Sequence, residues 1–347
     1  MAIIGTTAAT LADWAKRQDP DGKVASIVEI LSQSNEIIDD MLWVEGNLPT
    51  GHRTTIRTGL PQATWRLLNY GVMPTKSTTA QITDACGMLE AYGEVDKRLA
   101  DLNGNTAEWR LSEAMAFMEG MSQQFATTII YGNQVTNAAV FTGIAPRYST
   151  VNPALAANAQ NVIDAGGTGS NNTSMYIITW GPNTCHGIFP KGSMAGLQHV
   201  DMGEHTLQLP DGSRYQALRD HYTWDAGLTV RDWRYIIRIA NIDVTLLNGG
   251  SAANLITLLI RGTGRLPTAP RGVNPYQASD SPKVNGNMGR TAIYCNRTIR
   301  TYLDIQAVDK ANVLLQLEQW AGMSVTTFRG VPIRTVDAIL NTESRVV

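Results

Sequence analysis

Cys185 and His186 form the one adjacency in this chain that sets a nucleophile beside a base. A thiolate next to an imidazole is acyl-transfer chemistry, and it needs both side chains on the same side. The surrounding residues read as a strand, where neighbours point to opposite faces, so the two are badly placed to share a proton. His199, Asp201, Glu204 and His205 gather metal-capable groups in a turn-rich stretch. They lack the HxxxH or HExxH spacing that sets two ligands on one helix face, and they read as isolated surface residues. Gly166-Gly167-Thr168-Gly169-Ser170 has the glycines of a phosphate cradle but neither the lysine nor the following helix, since Met175 to Trp180 reads as a strand. Asp39 and Asp40 are paired carboxylates that read as solvated. Arg234 and Arg238 alternate with apolar residues and read as the solvated or interface side of a sheet. These residues give no catalytic, cofactor-binding or metal site, and the expectation is a chain that is not an enzyme.

Composition points toward association. Of the 347 residues 43% are hydrophobic and only 17% charged, against a usual charged share of about 25%. A surface short of charge is a surface that other copies cover. The formal net charge of −2 gives no case for a protein that coats nucleic acid. Cys86, Cys185 and Cys295 are far apart, odd in number and without a CxxC pairing, so free thiols in a reducing compartment are expected. No window approaches the ~18 uninterrupted apolar residues of a membrane span, and the N-terminus has no secretion signal. The expected product is soluble and cytoplasmic.

The longest periodic element is Asn105 to Gly132. Leu111, Met115, Met118, Met121 or Ser122, Phe125 and Ile129 recur at steps of three and four, one apolar stripe on a 3.6-period helix. Asn105 is placed to cap it with Glu108 reaching back, and Gly132 to end it in the left-handed conformation. Ahead of it, residues 1–45 form an arm with two helical patterns. The second carries Val24, Ile27, Val28, Leu31, Ile37, Ile38, Met41 and Leu42, and an acidic face of Glu29, Glu36, Asp39, Asp40 and Glu45. Residues 46–78 are extended and basic: Gly51 to Thr58 reads as a strand and Ala63 to Leu68 as its return. His52, Arg53, Arg57, Arg66 and Lys76 occur there with no acid between them. A lone two-stranded hairpin is marginal in water, so this one is expected to lie on a neighbour. Arg53, Arg57 and Arg66 would then face Glu36, Asp39 or Asp40 of another copy. After the long helix come a β-rich block with its longest strand pattern from Trp224 to Ile242, a helix Ala252–Arg261 capped by Ser251, a Pro/Gly/Asn-rich loop to about Gly289, a buried strand Ala292–Cys295, a helix capped by Asn296, and a terminal hairpin through Phe328-Arg329-Gly330-Val331.

That order, with particular stretches in it, resembles the major capsid protein of tailed double-stranded-DNA bacteriophages, the Hong Kong 97-type fold. The stretches are Phe125 to Gly132 closing the helix, Ile178-Thr179-Trp180-Gly181 with His186 to Gly192, Trp233 to Ile242, and Phe328 to Arg334. The resemblance implies an α+β fold with an N-terminal arm (1–45), an extended hairpin loop (46–78), a peripheral domain (79–240) holding the spine helix 105–132, an axial domain (241–322) and a C-terminal strand (323–347) returning to the peripheral domain. It implies hexamers and pentamers closing an icosahedral shell around packaged DNA, which the shell touches non-specifically. It also implies a portal, a separate scaffolding protein, room for a decoration protein, and a virion assembled in the host cytoplasm. An encapsulin-type compartment shell shares the fold and stays open, as does a cytoplasmic αβ enzyme built on Cys185, His186 or the arginines.

Overall fold

The computed structural model describes residues 31–101, 106–209, 211–247, 253–267, 290–308, 315–320 and 323–347. The first helical pattern, the start of the second, the Asn105 and Ser251 caps and most of the Pro-rich loop lie outside them, and the described part of the second pattern is helical only over Ile37–Asp40. The described chain opens with a single helical turn α1 (Ile37–Asp40) and β1 (Trp43–Glu45), then the long strands β2 (Gly51–Gly59) and β3 (Thr78–Asp96). A turn α2 (Lys97–Ala100) leads to the long helix α3 (Thr106–Tyr131), followed by α4 (Ile144–Arg147) and strands β4 (Val162–Asp164), β5 (Asn172–Trp180), β6 (Cys185–Phe189), β7 (Gln198–Gln208), β8 (Arg214–Val230) and β9 (Ile236–Asp243). Helix α5 (Leu255–Thr263), β10 (Arg290–Cys295), α6 (Arg297–Val308), β11 (Leu315–Trp320), β12 (Met323–Phe328) and β13 (Val331–Thr335) complete it.

Strand alternation divides the interior into two cores. In β5, Tyr176, Ile178 and Trp180 join the core under α3, while Met175 and Ile177 face the core that holds α5 and α6. In β10, Ala292 and Tyr294 go one way and Ile293 and Cys295 the other. Strands β9, β5, β10 and β13 thus form a sheet buried on both faces, and their near-continuous apolar sequence follows from that. The 240/241 boundary read from the sequence passes inside β9. The expected strand from Trp224 to Ile242 is two strands, broken by a 3-10 turn at Trp233–Tyr235 whose Arg234 N–H donates to the Asp232 carboxylate. Asn241 takes a positive φ of 60° and shifts the alternation, its amide bonding Asp164 Oδ1 and the Val346 carbonyl.

Caps and turns follow local chemistry. Asn254 caps α5 by accepting the Thr257 N–H, and Asn296 caps α6 through the Ile299 N–H at 2.8 Å. Arg329 and Gly330, both at positive φ (53° and 76°), make the tight turn between β12 and β13 that suits strand twist. Gly132 does end α3, but not by a left-handed conformation. A Cβ there would lie 2.5 Å from the carbonyl oxygens of both Phe141 and Thr128, so the residue is a glycine because two backbones meet at it.

Arg238 is a larger correction. It is 5% exposed, not on a solvated face. Its guanidinium donates to Glu343 at 2.9 Å, to the Tyr148 and Ala145 carbonyls and to Ser174 Oγ. Glu343 also accepts from Tyr131 at the end of α3 and from Ser174, and its own N–H bonds the Asn172 carbonyl. The C-terminal segment is therefore fastened to the end of the long helix and the central sheet by one buried charge cluster. Arg234, by contrast, is exposed and paired with Asp232.

Candidate assembly surface

β2 and β3 pair antiparallel from Gly51↔Ala85 to Arg57↔Thr79, with a register shift between Arg57 and Gly59. The expected return strand at Ala63–Leu68 does not form. The return is Thr78 onward, where Ile82 opposes Thr54 in a β-branched cross-strand pair and Thr83 and Thr79 oppose Arg53 and Arg57. β3 then runs on into the body, pairing with β8 from Cys86↔Gly227 to Asp96↔Ala217. One continuous strand thus carries both the hairpin and the sheet beneath α3.

The residues between the two strands are the unusual part. Every residue from 60 to 77 is exposed, including Leu60, Trp65, Leu67, Leu68, Tyr70, Val72 and Met73. Trp65 is fully exposed and Leu68 is 89% exposed. Isolated exposed apolar residues are ordinary, but seven within fourteen positions make a patch that solvent disfavours. In sequence, the charges of this segment mark an extended loop and its apolar residues resemble a strand. The signal available was their lack of period-two alternation between Pro61 and Pro74.

The candidate contact residues fall into two groups. Arg53, Arg57 and Arg66 are exposed and take part in no ion pair among the described residues. Arg53 is held at its backbone, where its N–H and C=O bond the Asn47 side chain at 2.7 and 2.8 Å, and its Nε reaches Thr83 at 3.3 Å. Asp39 is exposed. Glu36 and Asp40 are engaged within their own chain. Arg334 donates to Glu36 at 3.0 Å, and Asp40, whose side chain is 2% exposed, receives Arg290 at 2.9 Å and the Tyr294 hydroxyl at 2.9 Å. Arg334 Nε is 3.3 Å from Asp40 but too poorly aligned for a hydrogen bond. Burial pushes the Asp40 carboxyl up, and Arg290 and Arg334 oppose this. The solvated reading of Asp39 and Asp40 holds for the first alone, because helical spacing turns Asp40 inward beside Ile37.

At the foot of the hairpin lies a buried polar cluster. Arg147 bridges Asp84 at 2.8 Å to the Thr142 and Leu228 carbonyls. His52 sits edge-on to His186, ring centres 5.8 Å apart, with Arg231 Nη2 3.5 Å from His52 Nε2. Desolvation, then Arg231 and His52, push His186 down to about 4, while the poorly aligned Gly181 backbone pulls weakly the other way. Cys185 is fully buried, with its thiol pushed up by desolvation. Thiol and imidazole are both held neutral, which is the opposite of an activated dyad. His199 and Asp201 are not isolated: with Asp220 they meet Arg110 of α3, at 2.6 Å from Arg110 to Asp220 and 2.7 Å to Asp201, and His199 stacks on Tyr222. The Gly166–Ser170 stretch is a loop leading into β5.

A sequence model of the family described as major capsid protein GP7 matches residues 19–347. The chain belongs to this family. It is a major capsid protein of a tailed phage, a structural protein of the virion that assembles with its own copies into a shell. A chain of the cryo-EM structure of bacteriophage Epsilon15 is similar at 37% identity and a TM-score of 0.78, with 100% of this chain and 99% of that one covered. The fold is the Hong Kong 97 type, α+β. More distant likenesses are the bacteriophage JBD30 capsid (7% identity, TM-score 0.47, 89% and 92% covered) and an encapsulin complex from Synechococcus elongatus (10%, 0.44, 68% and 98%). No curated protein sequence matches the capsid protein.

Proposed function

We propose that copies of this capsid protein form the hexamers and pentamers of an icosahedral head around double-stranded DNA, with residues 51–77 of each copy lying across a neighbour. The exposed apolar tip from Leu60 to Met73 carries this reading. A ribbon that buries nothing of its own tip gains its stability from whatever covers that tip. Arg53, Arg57 and Arg66 then meet acids of other copies, with Asp39 the freest of the arm carboxylates and Glu36 sharing its charge with Arg334. The peripheral lobe comprises 79–240 with the returning 323–347, and the axial lobe 241–322, the two joined through the doubly buried sheet. The subunit performs no catalysis, and it assembles in the host cytoplasm with a separate scaffolding protein and a portal. Its contact with DNA is non-specific.

Trypsin tests the loop directly. In unassembled subunits, cleavage after Arg57, Arg66 and Lys76 should be fast, and in assembled particles these bonds should be protected while the subunit's other exposed basic sites are still cut. Equal cleavage in both forms would contradict the intersubunit placement.

A further inference from the structure

The foot of the hairpin is where β2 touches the body of the subunit. Along its ladder β2 pairs with β3 alone. The segment entering it is tied down by the Gly46 N–H on the Phe189 carbonyl at 2.8 Å, the Lys191 N–H on the Leu48 carbonyl at 3.3 Å and the Cys86 N–H on the Thr50 carbonyl at 2.9 Å. Beside these bonds His52 of β2 stands edge-on to His186 of β6, and His186 lies in register with Thr229 of β8. All three side chains are buried. Neither ring nitrogen of His186, nor the Thr229 hydroxyl, has a well-aligned hydrogen-bond partner among the described residues. The contact between the two rings is therefore one of packing between neutral groups.

The charges around the pair do not welcome a proton. Arg231, just past β8, is 3.5 Å from His52 Nε2, and its guanidinium donates to neutral acceptors, the Pro182 carbonyl and the Asn183 side chain. Asp84 of β3 lies opposite His52 and is the one carboxylate among the described residues that acts on either ring. Its charge is already shared with Arg147 of α4 at 2.8 Å. On β6 itself the neighbouring Cys185 is a neutral thiol on the opposite face. A proton on either imidazole thus sets a second buried cation beside Arg231 with no free acid to answer it. Desolvation and then Arg231 hold both rings below the ordinary 6.5, His186 at about 4, with Asp84 opposing at His52.

We propose that the His52–His186 contact is a proton-sensitive latch: with both rings neutral the hairpin foot rests on β6 and β8, and a proton on either ring lifts it. The pivot is β3, which runs unbroken from the hairpin into the body, so the foot can part from β6 while the β3–β8 ladder stays closed. The latch belongs to the single chain and is independent of what covers the hairpin tip. Because the seated rings resist protonation, the foot is held fully above about 6.5 and loosens as pH falls. With His186 regaining its ordinary value once the foot is open, that ring alone raises the opening equilibrium roughly 30-fold between pH 7.5 and pH 5.

Hydrogen exchange on the full-length, unassembled subunit reads the foot directly. After correction for the intrinsic exchange rate, the amides of Gly46, Cys86 and Lys191 should lose about 30-fold of their protection between pH 7.5 and pH 5. At both pH values they should exchange faster than the amides of β5 and β10, because opening the foot leaves the central sheet closed. The double change His52→Phe, His186→Phe keeps two rings and removes both protons, and it should abolish the pH response. Arg231→Gln is the gentler variant, at a partly exposed residue: it removes the neighbouring cation and should make the response smaller. Foot protection that is the same at both pH values in the unchanged chain would overturn the proposal. So would equal exchange in foot and central sheet, which would mean unfolding of the whole chain, or an unchanged pH response in either variant.

Discussion

Replacing Trp65 by alanine separates the two roles a hairpin can have. Trp65 is fully exposed in the single chain, so its removal should leave subunit stability unchanged within about 0.5 kcal/mol. If a neighbour covers the tip, the indole contributes roughly 200 Å² of apolar burial, a ceiling of about 5 kcal/mol per contact. Truncated interface tryptophans commonly cost about 2 kcal/mol or more, and 2 kcal/mol is roughly a 30-fold change in association constant. Each subunit offers one such tip, so the loss recurs at every copy of the contact. The assay is a pair of readings on one preparation: thermal unfolding of unassembled subunits, and the critical concentration for particle formation by sedimentation. The expected result is an unchanged melting curve with a critical concentration raised about 30-fold. A lowered melting temperature with normal assembly among folded molecules would refute the reasoning, since it would mean that the tip packs on its own chain.

Charge reversal of Arg53 and Arg57 to glutamate should also spare subunit melting, while making residual assembly sensitive to salt because the contacts are screened surface pairs; assembly indifferent to both changes would remove these arginines from the interface. Glu343→Gln should destabilise the subunit by about 3–5 kcal/mol in denaturant titration, because Arg238 is left buried without its counter-charge. Converting both residues to apolar ones of similar volume should recover most of that loss. His186 makes stability fall with acid: its folded value near 4 lies below the ordinary 6.5, so the unfolded chain binds the extra proton. Stability is full above about 6.5, declines as pH falls toward 4 and levels off below, a loss of about 3 kcal/mol in all. His186→Phe should flatten that slope in urea titrations between these pH values, and an unchanged slope would mean another group controls it.

The elements governed by local chemistry were legible in the sequence. The α3 pattern from Leu111 to Ile129, the Asn296 cap and the Arg329-Gly330 turn each depend on residues within a turn or two of one another. What the sequence concealed depends on partners distant along the chain. Arg238 reads as a surface arginine until Glu343, 105 positions later, arrives beside it. Asp40 reads as solvated until Arg290 and Arg334 fold over it. Gly132 carries the right residue type for a helix end, but its cause is the Phe141 carbonyl from the next segment. The candidate surface was half legible. The basic residues announced an extended loop, whereas the apolar tip was mistaken for a strand because short apolar runs fit either assignment.

The central claim is that this chain builds a closed shell, and particle formation tests it most directly. The chain should be expressed together with any scaffolding protein that its phage encodes, and the product examined by sedimentation and negative-stain microscopy. The account predicts closed icosahedral particles of megadalton mass. Recovery solely of monomers or small oligomers from a folded, soluble preparation under those conditions would contradict it.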